Sequence, residues 1–134
     1  MSYNIFLDKS RVPADVTWVQ LPKSPDWVVV RNCLDFKLRV TSFGLPGFIS
    51  FSHNLSAEHN AIDWSKFTIP DYYSLENKTG YDCACWLIDY CVMYDKPFPD
   101  YAVHSQNTVG GEHIHSAVWA YKRWRENTKP NHIK

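Results

Sequence analysis

The sequence has no apolar run approaching the ~20 residues that a membrane-spanning helix needs, so no bilayer-crossing segment and no membrane partner is expected. Nor does it open with a basic lead followed by an apolar stretch and small residues, and Asp8 stands early in the chain, so no secretory leader is expected. Its four cysteines, at 33, 83, 85 and 91, lack CxxC spacing, and three share one segment. That usage suits reduced, buried thiols better than a disulfide framework and points to the cytoplasm. HExxH is absent, and His113 and His115 stand two apart on an expected helix, hence on different faces, which argues against a shared metal. Internal repeats and low-complexity tracts are missing, and the eight prolines are scattered rather than gathered into a linker. What remains is 134 residues, 45% hydrophobic, enough for one core and one domain spanning 1–134.

Net charge is also missing, since 14 basic side chains meet 14 acidic ones, but the balance is uneven along the chain. Residues 1–121 carry a net −4 and residues 122–134 a net +4, with Lys122, Arg123, Arg125, Lys129 and Lys134 interleaved with Trp124 and preceded by Trp119 and Tyr121. Such an end could face phosphates. The plainer reading is a helix C-terminus stabilised by cations through its dipole, so nucleic acid is not expected as a partner.

Short apolar runs alternate with helical periodicity. Tyr3 to Leu7, Trp27 to Arg31, Phe48 to Phe51 and Tyr101 to Val103 read as strands. Asn32 can cap a helix presenting Phe36, Val40 and Phe43 on one face, stopped by Gly44 and Pro46. Thr79 opens a TGYD box before a helix whose face carries Ala84, Leu87, Ile88 and Cys91. Gly110 and Gly111 introduce a last helix with Ile114, Ala117, Val118 and Tyr121 on its buried side. Residues 57–78 show no period and hold Trp64, Phe67, Tyr72 and Tyr73, so they read as an aromatic-rich insertion able to serve as a lid. Strands alternating with helices imply a mainly parallel sheet covered on both sides, a three-layer α/β sandwich.

Three strands run into polar loops, and in open parallel sheets ligands bind beyond the carboxyl ends of the strands. The loops carry Asp8 and Lys9; Ser52, His53 and Asn54; and His104, Ser105 and Asn107. Two imidazoles and a carboxylate converging there would supply acid–base chemistry. Taken singly, each residue has a structural reading: a histidine after an apolar run is commonly a hydrogen-bonded core residue, and Ser105 and Asn107 can cap the final helix. The Asn107 to Gly111 stretch can equally offer backbone amides to a phosphate.

The runs NIFLDKSRVP, FISFSHNL, TGYDCACWL and VHSQNTVGGEHI, in this order, together resemble the cyclic-phosphate-processing receiver-like domains, small proteins frequent in tailed phages. The resemblance covers nearly the whole chain and implies a receiver-like, flavodoxin-like sandwich acting on cyclic phosphates or related phosphoesters of nucleotides, with acids and histidines around a metal, in a host cytoplasm if phage-encoded. Where that family typically reads LDD and DHD, this chain keeps Asp8 but has Lys9, and has Ser52 and Asn54 on either side of His53. A hard divalent cation prefers anionic oxygen ligands, so the departures point away from metal, and no cofactor is expected. His53, His104, Ser105, Asn107 and Gly110 still match.

The expectation is a receiver-like domain that recognises a nucleotide phosphate or cyclic phosphate with catalysis lost, Lys9, Ser52, Asn54, Ser105, Asn107 and Gly110 contacting the ligand. One alternative is a metal-independent phosphoesterase in which His53 and His104 share proton transfer, Asp8 orients one ring and Lys9 steadies the phosphate. Another is a phage protein that engages a host protein through 57–78.

Overall fold

The computed structural model describes residues 2–128. Four short strands, β1 (Asn4–Leu7), β2 (Trp27–Val30), β3 (Phe48–Phe51) and β4 (Asp100–Val103), form one sheet in the order β2-β1-β3-β4. Every pairing is parallel, with Asn4 opposite both Trp27 and Phe48, and Phe48 opposite Asp100. The helices are α1 (Cys33–Phe43), the single turn α2 (Ala57–Asn60), α3 (Gly80–Tyr94) and α4 (Thr108–Thr128). The receiver-like α/β fold with its parallel sheet is therefore as expected, although α1, α3 and α4 all enter the core on one face of the sheet rather than covering both, because the β1–β2 connection forms no α-helix. The order reverses direction between β1 and β3, the switch point where such sheets bind ligands.

Local chemistry explains the helix boundaries. Asn32 accepts the Asp35 amide at 2.8 Å and starts α1. Thr79 and Asp82 cap α3 reciprocally, the Thr79 amide donating to Asp82 Oδ2 at 2.8 Å and the Asp82 amide to Thr79 Oγ1 at 3.3 Å. Helix α4 begins at Thr108, before the two glycines expected to introduce it, because Asn107 Oδ1 accepts the Gly110 amide at 2.9 Å. Phe43, expected on the buried side of α1, is 67% exposed. It is the last residue of that helix, and the Arg39 guanidinium lies 4.6 Å from its ring centroid.

Side chains alternate across each strand, which splits the sheet into two different faces. Ile5, Leu7, Ile49 and Phe51 enter one core with Phe36 and Val40 of α1, Cys83, Ala84, Leu87 and Cys91 of α3, and Ile114, Val118 and Tyr121 of α4. Each large apolar side chain buried there contributes roughly 1.5–3 kcal/mol. The opposite face carries Phe6 and Ser50, both fully buried. No α-helix covers that face from the β1–β2 connection, which contains only the 3-10 turn Pro13–Asp15; from that connection the Trp18 indole reaches over to donate to His104 O at 2.8 Å. The four cysteines are free thiols. Among the described residues no helix is long and apolar enough to cross a membrane.

Of the basic end, Lys129 and Lys134 lie outside the described residues. The others turn to their own chain: Lys122 lies over Tyr101, Arg123 over Trp119, and Arg125 pairs with Asp95 at 3.0 Å.

Helix α3 reaches the sheet only because its first residue is Gly80. A Cβ there would sit 1.9 Å from the Ser52 carbonyl oxygen, and the Gly80 amide donates to His53 O at 2.8 Å. The oxygen belongs to backbone and cannot step aside, so Gly80→Ala is expected to destabilise the protein by at least about 2 kcal/mol in urea unfolding. A loss below about 0.5 kcal/mol would show that this approach is not tight.

Candidate functional site

The ladder of hydrogen bonds runs one residue beyond three strands. Asp8 N donates to Val30 O at 3.1 Å, Ser52 N to Leu7 O at 2.9 Å and His104 N to Phe51 O at 2.9 Å. These bonds hold three polar residues along the carboxyl rim of the sheet. Above them lies a cleft of about 420 Å³ lined by Asp8, Lys9, Ser10, Arg11, Ser52, Asn54, Asn60, Ser105, Gln106 and Asn107. Its size falls within the range of small-molecule sites. Six of the nine residues singled out from the sequence, Asp8, Lys9, Ser52, Asn54, Ser105 and Asn107, meet there. The other three, His53, His104 and Gly110, lie beneath it.

His104 is fully buried on the face without helices. Its ring stacks on Phe6 with centroids 4.5 Å apart, Nε2 donates to Asp8 Oδ2 at 2.8 Å, and Nδ1 lies 2.6 Å from Ser50 Oγ. A carboxylate, an imidazole and a hydroxyl in line resemble a nucleophilic triad, but Ser50 is itself fully buried in β3, so the line ends inside the protein. Asp8 is equally committed. Burial alone would raise its carboxyl pKa, but the hydrogen bond from His104 and those from the Arg11 and Ser10 amides hold it well below the ordinary carboxylate range. The Arg11 guanidinium stands 3.6 Å from the same oxygen that meets His104.

His53 is also fully buried, but against the helical side. Its Nδ1 donates to Asn54 Oδ1 at 2.8 Å, which leaves Nε2 to accept from the Tyr72 hydroxyl at 2.8 Å. The Tyr72 oxygen then accepts from Nδ1 of His113 at 2.6 Å. Trp64 meets the His53 ring edge-on at 4.6 Å, and α4 crosses so close that a Cβ on Gly110 would stand 2.4 Å from His53 Cγ. Gly110 therefore serves packing, its amide already capped by Asn107. The two imidazoles point to opposite faces of the sheet, each with both ring nitrogens engaged.

Several participants carry little sequence signal. Arg11, Ser10, Asn60 and Gln106 join the cleft by loop geometry alone. Tyr72 was visible only as one aromatic of the insertion, yet its hydroxyl bridges two imidazoles. His59, fully buried, anchors the start of that insertion, accepting the Leu55 amide at Nδ1 and donating from Nε2 to Asn77 O, each at 2.8 Å. Residues 57–78 pack through Trp64, Phe67 and Tyr72 and send Asn60 to the cleft.

The donor set does not suit a hard divalent cation. Asp8 is the sole carboxylate of the cleft, its oxygens are occupied by His104 and two backbone amides, and Lys9 and Arg11 bring like charge. Among the described residues no three His, Cys, Asp or Glu side chains are grouped to hold a metal.

Burial lowers the His53 pKa to about 4, against a smaller opposing effect of the Asn54 bond. Between about pH 6.5 and pH 4 the unfolded chain takes up a proton that the folded one refuses, so this ring's stabilising contribution, complete above pH 6.5, is lost as pH falls through that window. The loss amounts to something on the order of 3 kcal/mol. Ring NMR titration should find His53 neutral at pH 5.5; titration near the unperturbed value would show that the buried network opens.

The family described as Cyclic-phosphate processing Receiver domain matches residues 3–120, most of the chain. No curated protein and no solved structure gives a significant match.

Proposed function

The chain belongs to the cyclic-phosphate processing receiver domain family, and we propose that its rim cleft binds a small molecule through a phosphate, cyclic or nucleotide-borne, without hydrolysing it. The observation that carries this reading is the charge of the cleft. Its one acid is turned inward, hydrogen-bonded to His104 and paired with Arg11 at 3.6 Å, while Lys9 adds a second cation to the open space. Lys9 is exposed and has no ion-pair partner among the described residues. A phosphate there would gain a point charge from Lys9, in a field that the Arg11 guanidinium makes more positive.

Hydrogen-bond donors complete the fit. The Ser52 hydroxyl lines the cleft, and Ser105 Oγ accepts the Asn107 amide at 3.1 Å, which leaves its own proton to donate. Asn54 and Asn107 are tied to one another, Asn107 Nδ2 donating to Asn54 Oδ1 at 3.0 Å, so they stiffen the wall. A rigid set of donors loses little entropy when a ligand arrives. Hydrolysis by a histidine pair lacks comparable support. A general acid or base must come within about 3 Å of the proton it moves, and both rings are fully buried and fully hydrogen-bonded.

Thermal shift and ³¹P NMR with 2′,3′- and 3′,5′-cyclic nucleotides, nucleoside monophosphates and inorganic phosphate test this directly. The melting temperature should rise with at least one phosphate ligand. Lys9→Glu should weaken that ligand by about tenfold or more, and the ³¹P spectrum should stay unchanged with or without added Mg²⁺. A new phosphorus signal from an opened ring or released phosphate would overturn binding without turnover. A chain that responds to none of these compounds would return the weight to a protein partner.

A further inference from the structure

The wall of the cleft that comes from the β1–β2 connection is aromatic behind its charge. The Arg11 guanidinium lines the cleft and lies over the Trp18 indole at 5.3 Å from the ring centroid. Both members of this pair are fixed from outside it. Trp18 Nε1 donates to His104 O at 2.8 Å, which pins the indole against the end of β4. Arg11 is held by its 3.6 Å pairing with Asp8 and by its own backbone, whose amide donates to Asp8 Oδ1 at 2.8 Å and whose carbonyl accepts from Arg31 Nη1. Despite these ties the Arg11 side chain is 38% exposed and Trp18 43% exposed. A guanidinium is thus held at the edge of a polar cleft, with a half-exposed indole behind it.

Inorganic phosphate or a sugar phosphate would use Lys9, Ser52 and Ser105 and would have no need of this stack. An aromatic base would. Guanidinium groups and indoles hold nucleobases by stacking and cation–π contact, which tolerate any base. Gln106, exposed on the same rim, adds an amide that both donates and accepts toward a base edge.

We propose that the Arg11–Trp18 stack is a base platform, so that the ligand of this cleft is a nucleotide whose phosphate meets Lys9, Ser52 and Ser105 while its base lies on the guanidinium plane. This rests on the phosphate-binding reading above and goes further by naming the ligand class and a specificity-determining residue. Trp18 acts through Arg11 and at the rim, and has no part in proton transfer.

Calorimetry with ribose 5-phosphate and 5′-AMP separates the two ideas. The unaltered protein should bind 5′-AMP more tightly than ribose 5-phosphate by roughly tenfold to a hundredfold, the size of one stacking contact. Trp18→Ala should bring 5′-AMP down to the level of ribose 5-phosphate and leave the latter within about twofold, and Trp18→Phe should keep most of the preference. Equal affinity for both compounds in the unaltered protein would overturn the platform and leave phosphate binding standing. So would a Trp18→Ala protein that loses both compounds alike, since that is the signature of a wall that has merely collapsed. If neither compound binds the unaltered protein, the phosphate reading fails and the platform with it.

Discussion

A carboxylate and an imidazole meeting inside the protein tie the rim of the sheet together. Asp8 follows β1 and His104 follows β4, two strands that are not neighbours, and their 2.8 Å contact passes over β3. The second ring nitrogen of His104 meets Ser50 in β3, and its carbonyl receives the Trp18 indole from the β1–β2 connection. Three other parts of the chain thus meet at this one residue, and a buried charge such as that of Asp8 persists only when partners surround it. Asp8 has them, with the His104 ring and two backbone amides on its oxygens and Arg11 close by.

That commitment shapes what the cleft can do. A carboxylate facing the open cleft at the end of the first strand could hold a cation. Here the same acid turns inward, and the residue after it is Lys9. The open surface is therefore left with cations, hydroxyls and amides, a composition that attracts an anion rather than a metal ion. The second imidazole is held as firmly. Asn54, Tyr72, Trp64 and the first turn of α4 enclose His53, and desolvation keeps it neutral. Its hydrogen bonds join the cleft wall at Asn54 to the insertion at Tyr72 and to α4 at His113. One histidine thus braces each side of the sheet, and the cleft lies between the two braces.

The separation of the histidines follows from strand geometry. Phe51 and Val103 are partners in the β3–β4 register and both face the helices. Side chains alternate, so Ser52 and His104, one residue on, face the other way, and His53, two residues on from Phe51, faces the helices again. Both histidines follow an apolar strand in the sequence, but at offsets of two and one from it. That single-residue difference sends them to opposite sides.

By itself the sequence determined the elements and their order. Alternation and apolar periods located the four strands and the three long helices, and Asn32 and the Thr79–Asp82 box marked two helix starts, because these signals act over a few neighbouring residues. It also placed the polar loops beyond the strands, since β-to-helix alternation all but requires a parallel sheet with its ligand crevice at that end. Tertiary structure decided which tips look outward and which inward. Asp8 turns to His104, Gly110 lies on the His53 ring, Tyr72 is drawn from the insertion to bridge two imidazoles, and Arg11 comes to rest on Trp18. Each of those contacts depends on register, on the path of a loop or on a close approach between separate elements. Such terms join residues far apart in the chain, and no local pattern encodes them.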